Sequence, residues 1–210
     1  LYLRDQGLQA PTILGHDADN GFLLLEDFGD VRFSTALALN PQSEDKLYEG
    51  ATDVLIHLSH IQPQVGLMGL QGSHELPFYD ASILRAEADF LFEWAYPALI
   101  GPYEPAQYDE YRALWHPHFD FLERRLKDDP CLVLRDYHVD NLMVLENGHG
   151  LDAIGLLDFQ DALIGDKAYD LVSLLQDARR DVPEALEARL IDVFVDKAGI
   201  EDVEGFKRAY

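Results

Sequence analysis

Apolar residues near the start of the chain fall into two short runs, residues 12–15 and 22–26, separated by Asp17-Ala18-Asp19-Asn20-Gly21. An Asn-Gly pair readily adopts the left-handed backbone of a tight turn, so this pattern predicts two antiparallel strands. Residues 1–8 ahead of them read as the tail of a helix, and Asp27-Phe28-Gly29-Asp30 ends the strand pattern. From about Ser43 the period becomes helical, with Leu47, Val54, Leu55, Leu58 and Ile61 on one face. A loop rich in glycine and proline is expected over 62–77, followed by aromatic-studded helices over 79–100 and 107–127, and Pro130 closes that block. Short strands are predicted at 132–134, 142–145 and 154–157, with a turn at Asn147-Gly148. Helices resume at 169–179 and from Pro183, a residue suited to a first helical turn.

The order hairpin, helices, strand cluster, helices is an α+β arrangement without β-α-β alternation. The break at Asp27-Phe28-Gly29-Asp30 divides a small sheet region, residues 1–28, from a helical domain over 29–210. Composition adds bounds. A chain of 210 residues that is 48% hydrophobic and 11% aromatic can bury a sizeable core. Its longest apolar runs, at 21–25 and 153–157, are strand-sized and far short of a membrane span. The formal charge of −23 repels phosphate backbones, so nucleic acid and anionic membranes are excluded as expected partners. The single cysteine, Cys131, permits no internal disulfide and no thiolate metal cage, which fits a reducing cytoplasm. Leu1 and Tyr210 both stand inside helical patterns, so a longer natural protein is expected.

The chemistry concentrates in Leu134-Arg135-Asp136-Tyr137-His138-Val139-Asp140-Asn141 and in Asp158-Phe159-Gln160-Asp161. Phosphoryl transfer to an alcohol needs a carboxylate to take or orient the hydroxyl proton, and oxygen ligands for the Mg²⁺ that bridges the phosphates. An aspartate five residues before an asparagine, in a loop between strands, supplies both from one turn. A second aspartate at the end of the next strand completes the metal site. Mg²⁺ takes one or two protein carboxylates beside phosphates and water, so Asn141 and Asp158 are sufficient.

These motifs resemble those of the aminoglycoside phosphotransferases and their sugar and choline kinase relatives. Asp136-x-x-x-x-Asn141 looks like the catalytic loop of the kinase fold, and Asp158-Phe159-Gln160 like its metal-binding Asp-Phe-Gly element. The resemblance implies a protein-kinase-like fold, mainly the helical C-terminal lobe with part of the N-terminal lobe sheet. It implies Asp136 as catalytic base, Asn141 and Asp158 as Mg²⁺ ligands, ATP as phosphoryl donor, and His138 as the mark of the small-molecule branch. Leu23-Leu24-Leu25-Glu26-Asp27-Phe28-Gly29-Asp30 corresponds to the hinge between lobes, where backbone groups of Glu26 and Phe28 would hold adenine. Two positions depart from the pattern: Leu134 stands where a histidine is usual, and Gln160 replaces the glycine, implying a constitutively formed site. The Gly-rich phosphate loop and phosphate-binding lysine would lie upstream of Leu1.

The segment Gly155-Leu156-Leu157-Asp158-Phe159-Gln160-Asp161-Ala162-Leu163-Ile164-Gly165, with Tyr169-Asp170-Leu171, is similar to bacterial kinases of the anomeric hydroxyl of N-acetylmuramate and N-acetylglucosamine in cell-wall recycling. Leu76-Pro77-Phe78-Tyr79-Asp80 and Glu87-x-x-Phe90-x-x-Glu93-Trp94 fit the same branch, so the resemblance covers nearly the whole chain. A sugar acceptor is therefore expected. A kinase for a cationic acceptor such as an aminoglycoside or choline, and a non-catalytic nucleotide-binding module, stand as alternatives.

Other residues carry plainer expectations. By the resemblance Asp170 is structural and bonds the catalytic-loop backbone. Asp140 and Asp161 read as structural or solvated, with a supporting role near the metal as the alternative, and Lys167 reads as solvated. His57 and His60 are spaced like a metal pair but lack a third ligand, so packing or surface roles are expected, as for His116 and His118. The aromatics Phe90, Phe92, Trp94, Tyr96, Tyr111 and Trp115 read mostly as core, with Trp94 a candidate to cover a sugar ring.

Overall fold

The computed structural model describes residues 1–70, 72–146 and 148–210. After a short helix, α1 (Tyr2–Asp5), strands β1 (Ile13–Asp17) and β2 (Phe22–Leu25) pair antiparallel around Gly21, whose φ of 75° is the left-handed turn the Asn-Gly pair predicts. Leu23, Leu24 and Leu25 remain exposed on this hairpin. Helix α2 (Phe33–Leu39), too short to give a periodic signal, buries Phe33 and Leu37. Helix α3 (Glu44–Ser59) buries Leu47, Val54, Leu55 and Leu58, the expected face, together with Tyr48 and Ala51. Each large apolar side chain so buried contributes about 1.5–3 kcal/mol relative to exposure.

The stretch expected as a loop over 62–77 instead holds an antiparallel pair, β3 (Gly66–Gly69) and β4 (Gly72–Glu75). Three glycines and a mostly exposed surface hide the period-two signal there. The helix expected over 79–100 is divided. Helix α4 (Ala81–Phe90), capped by the Asp80 carboxylate accepting from the Ser82 and Ile83 N–H groups at 2.8 and 3.2 Å, runs into a π turn over Leu91–Ala95 and then α5 (Tyr96–Leu99). The π turn rotates Phe92 into an aromatic cluster with Tyr96, Tyr103, Tyr108 and Tyr111. Trp94 points outward and is 73% exposed. Helix α6 (Pro105–Asp128) opens with a reciprocal capping box between Glu104 and Gln107.

Strand β5 (Pro130–Val133) pairs with β8 (Leu163–Asp166), a strand the sequence pattern did not separate from the Asp158 segment. Between them β6 (Leu142–Val144) pairs with β7 (Ile154–Leu156). The expected turn between these strands includes Asn147, which lies outside the described residues. Helix α7 (Tyr169–Leu175) is shorter than the 169–179 expected, and α8 (Glu184–Lys197), preceded by Pro183, and α9 (Val203–Ala209) follow. The main core joins α3, α7, α8, α9 and strands β5–β8, with Phe194 and Phe206 stacked at 5.3 Å. His57 and His60 bond the Gln6 and Lys197 carbonyl oxygens at 2.7 and 3.0 Å, which accounts for both as packing residues. Lys167 departs from expectation: its side chain is only 10% exposed and pairs with Asp129 at 2.7 Å. Among the described residues no helix is long and apolar enough to cross a membrane.

Candidate active site

The loop after β5 is held from below and behind. Leu134 is buried, and the N–H groups of Leu134 and Arg135 donate to the Asp170 carboxylate at 2.6 and 3.0 Å. Arg135 sits at φ 76°, a region that disfavours side chains, so those two bonds hold a backbone that would otherwise relax. The buried Tyr137 hydroxyl donates to the Ala51 carbonyl at 2.8 Å and ties the loop to α3. The His138 N–H then donates to the Asp136 carbonyl at 3.1 Å, and the Asn141 N–H to the His138 carbonyl at 2.9 Å. Residues 136–141 are thereby wound into one compact turn.

The β6 and β7 pairing brings the second motif to the first. With Leu142 opposite Leu156, the Leu157 N–H donates to the Asn141 carbonyl at 3.0 Å, and Asp158 is the next residue. Asp158 turns out of the strand at φ 59°. The Asn141 amide nitrogen lies 3.0 Å from the Asp136 carbonyl, 3.3 Å from His138 Nε2 and 3.4 Å from Asp158 Oδ2. With its hydrogens directed at the Asp136 carbonyl and the Asp158 carboxylate, the amide oxygen is the atom left for a cation. Gln160 donates to Asp158 Oδ1 at 2.8 Å and steadies the carboxylate from the side. Phe159 anchors the segment beneath by lining an apolar cavity of ≈ 250 Å³ with Leu3, Leu132 and Leu134.

One carboxamide and one exposed carboxylate in contact suit a Mg²⁺ ion that takes its other ligands from phosphates and water. Among the described residues no group of three or more His, Cys, Asp or Glu side chains is arranged to hold a metal without such partners. The residues present therefore fit Mg²⁺ brought with a nucleotide better than a permanently bound ion.

Burial pushes the Asp170 carboxyl up to about 7, with the Asp136 charge raising it further against the two N–H donors that lower it. The unfolded value is about 4. Between those limits the native state binds the proton and the unfolded chain does not, so this group's contribution to stability is full below pH ~4 and is lost as pH rises through about 7. Thermal melts of wild type and Asp170→Asn across that range test it. The wild type is expected to lose stability relative to the variant as pH rises, and a constant difference would contradict the assignment.

The segment around Phe28 and Val31 packs on the same strand pair. A Cβ added at Gly155 would meet the Phe28 ring at 2.8 Å, so only glycine fits under it, three residues before Asp158. The Val144 N–H donates to the Val31 carbonyl at 2.8 Å, and Leu156 to Gln9 at 2.8 Å. The Glu26 N–H is already committed to the Thr12 carbonyl at 2.8 Å, while its carboxylate accepts from the Thr12 hydroxyl and N–H, which lowers its pKa. Of the Glu26 backbone, the carbonyl is what remains for a ligand.

Asn141 thus meets Asp158 and the Asp136 backbone carbonyl, and Phe28 packs on the strand pair that carries Asn141 and Asp158, while Glu26 pairs with Thr12 just after β2. Asp161 is exposed, and Asp140 lies 3.8 Å from the Arg179 guanidinium. The bonds made by Gln160 and His138 were not anticipated. Their spacing of two and three residues from Asp158 and Asn141 is the only local signal for them.

The family model for the APH phosphotransferase enzyme family matches residues 1–206. The N-acetylmuramate/N-acetylglucosamine kinase of Caulobacter vibrioides is 33% identical over 92% of this chain and 52% of its own length. That of Pseudomonas aeruginosa is 36% identical over 87% of this chain and 48% of its own. The chain spans about half the length of these curated relatives. Among solved structures, aminoglycoside phosphotransferase APH(3'')-Id from Streptomyces rimosus shares the fold at a TM-score of 0.65 and 16% identity, over 99% of this chain and 75% of that one. With that protein-kinase-like fold in place and the family model matched along nearly the whole sequence, the chain belongs to the APH phosphotransferase enzyme family.

Proposed function

We propose that the full-length protein transfers the γ-phosphoryl group of ATP to the anomeric hydroxyl of N-acetylmuramate or N-acetylglucosamine. The observation that carries this is the 3.4 Å approach of Asn141 to Asp158 across the β6 and β7 pair, with the Asn141 amide also fixing the Asp136 backbone at 3.0 Å. Asp136 acts as the base that accepts the acceptor proton, and Asn141 and Asp158 hold Mg²⁺. When bound, that ion would supply positive charge to offset that of the phosphates. Residues 1–28 form part of the nucleotide-binding lobe and hinge, where the Glu26 carbonyl and the Phe28 backbone meet adenine, and 29–210 form the helical catalytic lobe.

The relatives named for these two sugars supply the acceptor class. A hemiacetal hydroxyl is more acidic than an ordinary alcohol, so a carboxylate base removes its proton with less difficulty. Neither sugar needs a cluster of acidic side chains, which leaves the charge of −23 as general surface acidity. Trp94 is 73% exposed, which leaves its indole face open to cover the apolar face of a sugar ring. Phosphorus NMR of the product tests the reading. A C1 phosphate is expected from either sugar. An ester at another carbon, or turnover of aminoglycosides or choline with neither sugar used, would overturn it.

A further inference from the structure

We propose that Glu87, on the neighbouring helical hairpin, is a positioning residue for Asp136 that acts through the Arg135 guanidinium. The inference rests on the reading of Asp136 as the base. Arg135 immediately precedes Asp136 and holds φ at 76°. A non-glycine residue in that region costs about 1–3 kcal/mol and persists only where its surroundings over-determine it. Beyond a long 3.4 Å bond from the Ser173 hydroxyl to the Arg135 carbonyl, two shorter restraints hold the residue. The backbone N–H groups of Leu134 and Arg135 are taken by Asp170, and the Arg135 Nη2 donates to Glu87 Oε1 at 2.5 Å.

Glu87 comes from α4 and is itself fixed. Its second oxygen accepts from the Tyr79 hydroxyl, and that hydroxyl lies 3.0 Å from the Tyr169 hydroxyl. The two tyrosine rings meet edge to face at 4.6 Å. Burial and the Glu87 bond push the Tyr79 phenol upward, so it stays a donor. Tyr169 is the neighbour of Asp170 on α7, which closes a circuit: Asp170 to the Arg135 backbone, Arg135 side chain to Glu87, Glu87 to Tyr79, Tyr79 to Tyr169 and back. Between Lys127 and Lys167, Arg135 is the single lysine or arginine in the sequence. The pair is part-buried, with side-chain exposures of 34% and 29%, where a charge-assisted bond keeps more of its strength than at an open surface.

Rotation about the Arg135 backbone would swing Asp136 away from an acceptor. The circuit blocks that rotation from both ends, one anchored in the core and one in α4. The orientation of the base is thus tied to the seat of α4.

The test compares Glu87→Leu with Glu87→Gln in the full-length protein. Glutamine keeps a carbonyl for the guanidinium and an amide for Tyr79, whereas leucine keeps neither. Glu87→Leu is expected to lower kcat by about 10–100-fold, the scale of a misaligned reacting group, with the KM for ATP unchanged. Glu87→Gln is expected to recover most of that loss. In parallel, amide hydrogen exchange at Leu134 and Arg135 is expected to quicken in the leucine variant and to stay near wild type in the glutamine variant. Wild-type kcat together with unaltered exchange in Glu87→Leu overturns the proposal, as does an equal loss of kcat in both variants. A wild-type protein with no turnover would remove the phosphotransfer reading and with it the positioning role. Should Glu87→Leu fail to fold, Tyr79→Phe removes only the hydroxyl that orients Glu87. It is expected to show the same pattern on a smaller scale, and wild-type kcat with unaltered exchange there overturns the proposal equally.

Discussion

Asp136→Asn in the full-length protein is expected to lower turnover by roughly 10²–10⁴-fold, the usual worth of a positioned base. The substitution is nearly isosteric. The contact that Asp136 gives to Asn141 runs through its backbone carbonyl and survives the change. So do the anchors around it, Asp170 on Leu134 and Arg135 and the Tyr137 hydroxyl on Ala51. What is removed is the ability of one side chain to take a proton. Affinity for Mg·ATP should therefore be unchanged while kcat falls. A variant that turns over the best acceptor at near wild-type rate would sink the role.

Asp158→Ala is expected to abolish Mg²⁺-dependent nucleotide binding while leaving the fold standing. Asp158 is exposed, and its carboxylate touches the Gln160 and Asn141 amides. Losing it strips no core packing, because the Asp158 side chain is exposed, whereas its neighbour Phe159 packs against the core. Some destabilisation is expected from the backbone, since φ is 59° and alanine tolerates that region less well than aspartate. A thermal melt measures that part separately. Calorimetric titration with Mg·ATP measures the rest, and unchanged affinity with unchanged turnover would remove Asp158 from the metal site. With the carboxylate gone, the Asn141 oxygen would be the one proposed ligand of the pair left, too little for an ion that surrenders its waters reluctantly.

Much of this arrangement is legible before any coordinates. The Asn20-Gly21 turn, the buried face of α3 and the order of short strands and helices follow from local pattern, because each depends on residues close in sequence. The grouping of Asn141 with Asp158 is legible for a related reason: one short strand pair separates them, and its register leaves little choice. Other features were beyond local reading. Strands β3 and β4 carry Gly66, Gly69 and Gly72 and have little buried surface to mark them. Strand β8 is recognisable only through β5, which it meets from across the β6 and β7 pair. Lys167 looked solvated because its partner, Asp129, lies at the far end of that pairing. Arg135 meets Glu87 across 48 residues, a contact that only the docking of α4 against the loop creates.

The most direct measurement of the whole account is an anomalous difference map of the full-length protein crystallised with Mn²⁺, a non-hydrolysable ATP analogue and N-acetylglucosamine. A peak is expected at metal-ligand distance from the Asn141 side-chain oxygen and the Asp158 carboxylate, with an Asp136 carboxylate oxygen within about 3.2 Å of the acceptor C1 hydroxyl. A peak that neither residue touches, or an acceptor hydroxyl out of reach of Asp136 in the closed complex, would contradict it.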